Sequence, residues 1–211
     1  TSTVSTLQAA GKSYKICLPH AETDYIQGKI SKEGTPYELE MLNDMRTRVL
    51  PSDFVLDVGA NIGNHTLYLA ACGCDVLAFE PNTQLVAALH ASIELNDWSN
   101  RVSLRAVGLG KELSIARFVS DNQSNMGAMS LETGIGELKV VTLDSLNLQR
   151  KPTLIKIDVE GMELDVLLGG ERLITESRPL IYVECLNQIE FRSVFNWLSE
   201  RGYIYWDTFN A

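Results

Sequence analysis

The chain has 211 residues, a formal net charge of -9, and is 45% hydrophobic and 21% charged. That length suits one α/β domain with a substantial core, and the acidic balance argues against a nucleic-acid partner, since binding phosphates needs a basic face. No apolar run approaches the ~20 residues of a membrane span, and no signal-peptide pattern opens the sequence.

In chain order, residues 14–18 read as a short strand. Residues 36–50 read as a helix with Leu39, Leu42, Met45 and Val49 on one side and Pro36 at its start. Residues 54–58 are the first core strand, running through Asp57 into a turn with Gly59, Asn61 and Gly63, and a helix opens near Gly63. A second strand at 75–79 leads to Glu80. The helix at 82–97 places Val86, Leu89 and Ile93 at helical spacing. A third strand covers 102–107. Alternating segments near 113–119 and 138–143 flank a polar stretch at 120–127. They read as an inserted hairpin whose long loop either covers the ligand edge of the sheet or is merely solvated. The fourth strand is 153–158, followed by a helix at 161–175 and a fifth strand at 180–184. The helix at 189–201 carries Phe191, Val194, Phe195 and Leu198 as a core-facing stripe, and Tyr203 to Phe209 reads as a last strand.

Strands alternating with helices predict a doubly wound, mostly parallel sheet covered on both faces, Rossmann-like in form. No repeat or low-complexity linker divides the chain, so 1–211 reads as one domain: an N-terminal strand and helix in 1–50 and a binding core in 54–211. The opening at Thr1 rather than methionine reads as a trimmed chain or a domain from something longer.

The loop after the first core strand indicates a ligand. Glycines at 59 and 63 let the backbone approach one closely. Glu80 ends the neighbouring strand, where an acid can accept hydrogen bonds from both hydroxyls of a ribose. A dinucleotide loop would be G-x-G-x-x-G. Here the pattern is D-x-G-x-N-x-G, and Asp57 suits an ammonium better than a pyrophosphate. S-adenosylmethionine has an ammonium, a sulfonium and a ribose but no phosphate.

Three segments then resemble signatures of FkbM-type methyltransferases. They are Leu56-Asp57-Val58-Gly59-Ala60-Asn61-Ile62-Gly63-Asn64-His65-Thr66, Ala78-Phe79-Glu80-Pro81-Asn82, and Ile155-Lys156-Ile157-Asp158-Val159-Glu160-Gly161-Met162-Glu163. The resemblance extends from about Tyr37 to Glu184. It implies a class I fold, dependence on S-adenosylmethionine, and a hydroxyl acceptor on a sugar, a polyketide or a related small metabolite. It also implies that Ala106 and Val107, at the end of the third strand, lie near the adenine. Such a fold usually finishes with an antiparallel strand pair, of which one candidate is read here, so either the final strand lies beyond Ala211 or the sheet is abbreviated.

Methyl transfer requires alignment and, for an alcohol, removal of a proton. Asp158 and Glu160 are the leading candidates for that base, followed by Glu184. Lys156, two residues before Asp158 on a buried strand, either pairs with a neighbouring carboxylate or orients Asp158 or an acceptor oxygen. Glu163 reads as a capping or surface acid, and His65 as helix packing or a site residue. Glu38 is placed to reach the cofactor's amino group or to serve helix electrostatics. Asp158, Glu184 and Asn187 also offer the oxygen donors of a magnesium-assisted variant, although the expectation carried forward is no metal. Cys17, Cys72, Cys74 and Cys185 form no zinc pattern and fit a reducing cytoplasm. Two other classes compete: a nicotinamide- or flavin-dependent oxidoreductase, disfavoured by Asn61 and Asp57, and a non-catalytic binding domain of the same fold.

Overall fold

The structure, a computed structural model, describes residues 3–9, 11–119, 129–204 and 207–209. β1 (Thr3–Ala9) and β2 (Lys12–Leu18) form an antiparallel hairpin, so the single strand expected at 14–18 has a partner. α1 (Tyr25–Glu33) follows, with the Asp24 carboxylate accepting from Gln27 N at 2.9 Å and Gly34 in the left-handed region closing it. α2 (Leu39–Arg48) starts three residues later than Pro36, because Glu38 has φ 55 and cannot be helical. Leu39 is consequently exposed, while Leu42, Met45 and Val49 are buried.

β3 (Phe54–Val58), α3 (Asn64–Ala71), β4 (Asp75–Phe79), α4 (Thr83–Leu95) and β5 (Val102–Arg105) fall where the periodicity puts them, with β5 ending two residues short of 107. The buried stripe of α4 is Leu85, Ala88, Leu89, Ser92 and Ile93, leaving Val86 at its margin. The insertion is richer than a hairpin. β6 (Gly108–Leu109), β7 (Ser114–Val119), β8 (Ser130–Thr133) and β9 (Leu138–Val141) form a four-stranded sheet in the order β6-β9-β7-β8. β7 pairs with β9 as expected, and with β8 on its other side. Of the polar stretch, 120–127 lies outside the described residues.

β10 (Leu154–Ile157) leads to α5 (Glu163–Leu168) and α6 (Glu171–Ser177), so the helix expected at 161–175 is broken. The break falls at Gly169 and Gly170, where a Cβ would lie 2.0 Å from Gly110 O and 2.6 Å from Leu143 Cδ1. This close approach docks the helices against the insertion. β11 (Leu180–Val183) and α7 (Gln188–Glu200) complete the core. On α7 the buried residues are Val194, Trp197 and Leu198, while Phe191 is exposed and packs on Phe195 with ring centroids 5.7 Å apart. No strand forms at 203–204 or 207–209, and 205–206 lie outside the described residues.

The central sheet has the order β11-β10-β3-β4-β5, all parallel. Alternation along its strands divides the core by face. Val55, Val76, Ala78 and Leu154 face the hairpin and α1–α4, whereas Leu56, Val58, Phe79, Ile155 and Ile157 face α5–α7 and the insertion. Among the described residues no helix is long and apolar enough to cross a membrane.

Candidate active site

The turn after β3 is held by backbone and by one carboxylate. Gly59 N and Ala60 N donate to Phe79 O at 3.0 and 2.9 Å. Asn61 has φ 52, a left-handed value that asparagine tolerates. Its N–H donates to Glu80 Oε2 at 2.9 Å, and Asn82 N donates to Glu80 Oε1 at 2.8 Å. Each oxygen retains a lone pair for a further donor. Glu80 is 6% exposed, and burial pushes it up to about 7 although both backbone N–H groups favour its ionised form.

Gly59 has φ 76, and a Cβ there would lie 1.7 Å from Asp158 O. The glycine is therefore required by the neighbouring strand end, not only by a ligand. Gly63 opens α3 at φ 92, and a Cβ there would lie 2.3 Å from Leu89 Cδ1, so its smallness serves helix packing.

Two cavities meet at this turn. The first is walled by Phe79, Leu85, Val107, Leu109 and Met162, joined by Phe118, Met129 and Leu131 of the insertion, with Glu80 as its inner acid. The second is lined by Ile26, Tyr37, Glu38, Asn64, His65, Lys156 and Glu184. Gly59, Asn61, Asp158 and Glu160 line both. Val107 thus reaches the first cavity, while Ala106 is exposed and Gly63 and Asp57 border neither.

Asp57 lies beneath the turn instead of facing the open cavity. It is fully buried, with Oδ2 accepting from Thr66 Oγ1 at 2.5 Å and Oδ1 3.5 Å from Lys156 Nζ. The parallel register sets Lys156 directly beside Asp57. Its ammonium also donates to Gly59 O at 3.0 Å and Asp158 Oδ2 at 3.2 Å. Burial opposes the charge on Lys156, but the Asp158 and Asp57 carboxylates overcome it and hold the group above the ordinary lysine range. Burial likewise pushes Asp158 upward, and Lys156, then His65, pull it below the usual carboxylate range.

The remaining acids surround the shared boundary. Glu160 has φ 55 and is raised by burial and by Asp158. Partial burial, then the Asp158 and Glu38 charges, raise Glu184 on the open side. His65 Nε2 lies 3.0 Å from Glu38 Oε2. Glu163 is neither a cap of α5 nor a surface acid: it is 1% exposed and braces the loop before the helix, with Oε1 accepting from Val159 N at 2.9 Å and Oε2 from Gly161 N at 3.1 Å. Asn187 Oδ1 accepts from Ile189 N and Glu190 N, which makes it the cap of α7. Among the described residues no group of three His, Cys, Asp or Glu is spaced to hold a metal ion.

Tyr37 and Asn64 were not singled out from the sequence. Asn64, buried, accepts from Tyr37 N at 2.9 Å and donates to Tyr37 O at 3.0 Å, which sets the segment carrying Glu38 against α3. Only the alternation of 113–119 hinted that Phe118 would face inward.

Residues 57–205 match the family described as the methyltransferase FkbM domain. The hexuronic acid methyltransferase AglP of Haloferax volcanii is 30% identical, over 70% of this chain and 62% of its own. Methyltransferase 1 of Beauveria bassiana is 27% identical, over 72% of this chain and 73% of its own. The crystal structure of a methyltransferase FkbM from Methylobacillus flagellatus superimposes with a TM-score of 0.56 at 20% identity, covering 85% of this chain and 41% of that one. The chain thus spans less than two thirds of the Haloferax and Methylobacillus proteins, and the last of these likenesses shows a shared class I fold. With a family match over most of its length, the chain belongs to the FkbM methyltransferase family.

Proposed function

We propose that this chain is an S-adenosylmethionine-dependent methyltransferase acting on a hydroxyl oxygen of a sugar, a polyketide or a related small metabolite. The observation that carries the reading is the junction of an apolar cavity containing Glu80 with an acid-lined cavity at Gly59, Asn61, Asp158 and Glu160. The residues present fit the cofactor. Phe79, Val107, Leu109 and Met162 offer an apolar slot for a purine, and Glu80 has lone pairs for the ribose hydroxyls. The N-terminus of α3, bordered by Ile62, Asn64 and His65, suits the methionine carboxylate. Glu38, Asp158 and Glu160 suit its ammonium and sulfonium charges.

When bound, the cofactor supplies an electrophilic methyl group. The protein's part is to align the acceptor oxygen and to take its proton. Asp158 and Glu160 border both cavities and are the acids for that step, with Glu184 next. Lys156 fixes Asp158 and the Gly59 carbonyl in place. Four free thiols suit a reducing compartment such as the cytoplasm.

Calorimetric titration with S-adenosylmethionine and with NAD separates this reading from an oxidoreductase. Saturable binding of S-adenosylmethionine alone is expected, and binding of NAD alone would contradict it. Transfer of labelled methyl to a hydroxyl acceptor distinguishes an enzyme from a binding domain.

A further inference from the structure

The geometry points to charge selection in the acceptor cavity: Glu38, Glu160 and Glu184 exclude anionic acceptors and favour an uncharged, hydroxyl-rich one. This inference rests on the methyltransferase reading above and concerns the acceptor side of the same site.

Lys156 is the only lysine or arginine lining the cavity, and its ammonium donates to Gly59 O at 3.0 Å and Asp158 Oδ2 at 3.2 Å and lies 3.5 Å from Asp57 Oδ1. It is 4% exposed, and its charge is matched by the two aspartates beside it. The other basic side chain there, His65, has Nε2 3.0 Å from Glu38 Oε2. Lys29 sits over the Tyr37 ring at 5.0 Å but does not line the cavity. The residues outside those described (1–2, 10, 120–128, 205–206 and 210–211) include no lysine or arginine. The electropositive end of α3 is already assigned to the cofactor's carboxylate. The four acids Glu38, Asp158, Glu160 and Glu184 thus outnumber the positive charges of Lys156 and of the bound cofactor, so a carboxylate or phosphate on the acceptor would meet an excess of negative charge, greatest above about pH 8, where Glu184 is ionised.

An amine acceptor is disfavoured by the same wall. Carboxylates stabilise the ammonium form, whose lone pair is unavailable for attack. Hydroxyl groups suit it, because each donates to a carboxylate oxygen and remains nucleophilic once that oxygen draws the proton away. This separates the chain from its Haloferax relative, whose name specifies a hexuronic acid.

The test begins by titrating the intact chain with S-adenosylmethionine, which checks the cofactor reading separately. The complex with S-adenosylhomocysteine is then examined by saturation-transfer NMR against three matched pairs: the methyl glycosides of glucose, mannose and galactose, and the corresponding uronates. If the cofactor arm fails, the same panel is applied to the free chain. At least one neutral glycoside is expected to bind at least about tenfold more tightly than its uronate. Glu160→Gln and, separately, Glu184→Gln should each reduce that preference several-fold. A uronate that binds as tightly as its neutral partner would overturn the inference, as would a panel in which no neutral glycoside binds.

Discussion

Glu80 both builds the turn, through Asn61 N and Asn82 N, and is the acid proposed to receive the ribose. Because burial pushes it up to about 7, its protonation falls within the accessible range. Only the ionised form presents both oxygens as acceptors, so affinity for S-adenosylhomocysteine should rise with pH through about 7 and level off above it. Glu80→Ala should bind at least about tenfold more weakly at pH 8 and lose that part of the pH dependence, as calorimetry at several pH values will read. Gly59 makes a different prediction. A side chain there meets Asp158 O, at a positive φ that disfavours any Cβ. Gly59→Ala should cost more than about 3 kcal/mol of stability, measured by denaturant unfolding. A variant as stable as the parent would mean that β3 and β10 are less tightly apposed at their ends. The sequence showed that residue 59 must be glycine, but the colliding partner lies 99 positions away and is backbone. The burial of Asp57 is hidden from the sequence for a similar reason: Lys156 becomes its neighbour through the register of β3 and β10, and Thr66 through the docking of α3 on the sheet.

At the level of elements, the loop from β10 to α5 carries Asp158 and Glu160 and is held by Glu163. Burial, followed by a hydrogen bond with Glu190, pushes Glu163 up to about 8. The sign follows from linkage. The folded chain retains a proton that the unfolded chain releases in the ordinary carboxylate range. Stability is therefore greatest below that range and falls as pH rises toward about 8. Glu190→Gln keeps a carbonyl for Leu186 N, which donates to Glu190 Oε2 at 2.7 Å, and removes the like charge. Its melting temperature should exceed the parent's by about 2–4 °C at pH 8 and match it at pH 5. Equal melting curves at both pH values would separate the two acids energetically. Local pattern located β3 and β4 because strands buried on both faces are short unbroken apolar runs, and α4 because it buries a single stripe. It missed the break between α5 and α6, since Gly169 and Gly170 answer to Gly110 and Leu143 across the fold. It missed β1 and α1 although Asp24, Gln27 and Gly34 were legible as caps.

For the molecule as a whole, the family match begins at residue 57, yet the preceding hairpin is part of the core. Leu7, Tyr14, Ile16 and Leu18 are at most 2% exposed, and Ser92 Oγ of α4 accepts from Cys17 N at 2.9 Å. Burying four such side chains contributes roughly 6–12 kcal/mol, comparable with the whole stability of a typical domain, about 5–15 kcal/mol. Deleting residues 1–18 should therefore abolish the cooperative melt seen by circular dichroism, and a melt within a few degrees of the parent would refute that role. The central claim is that one continuous site holds the nucleoside in the apolar cavity and directs the methyl group into the acid-lined one. A crystal structure with S-adenosylhomocysteine tests it most directly. The account predicts ribose hydroxyls within hydrogen-bonding distance of Glu80, the base between Phe79 and Met162, and the sulfur at the boundary formed by Gly59, Asp158 and Glu160. A nucleoside bound away from Glu80, or a sulfur directed away from Asp158 and Glu160, would contradict it.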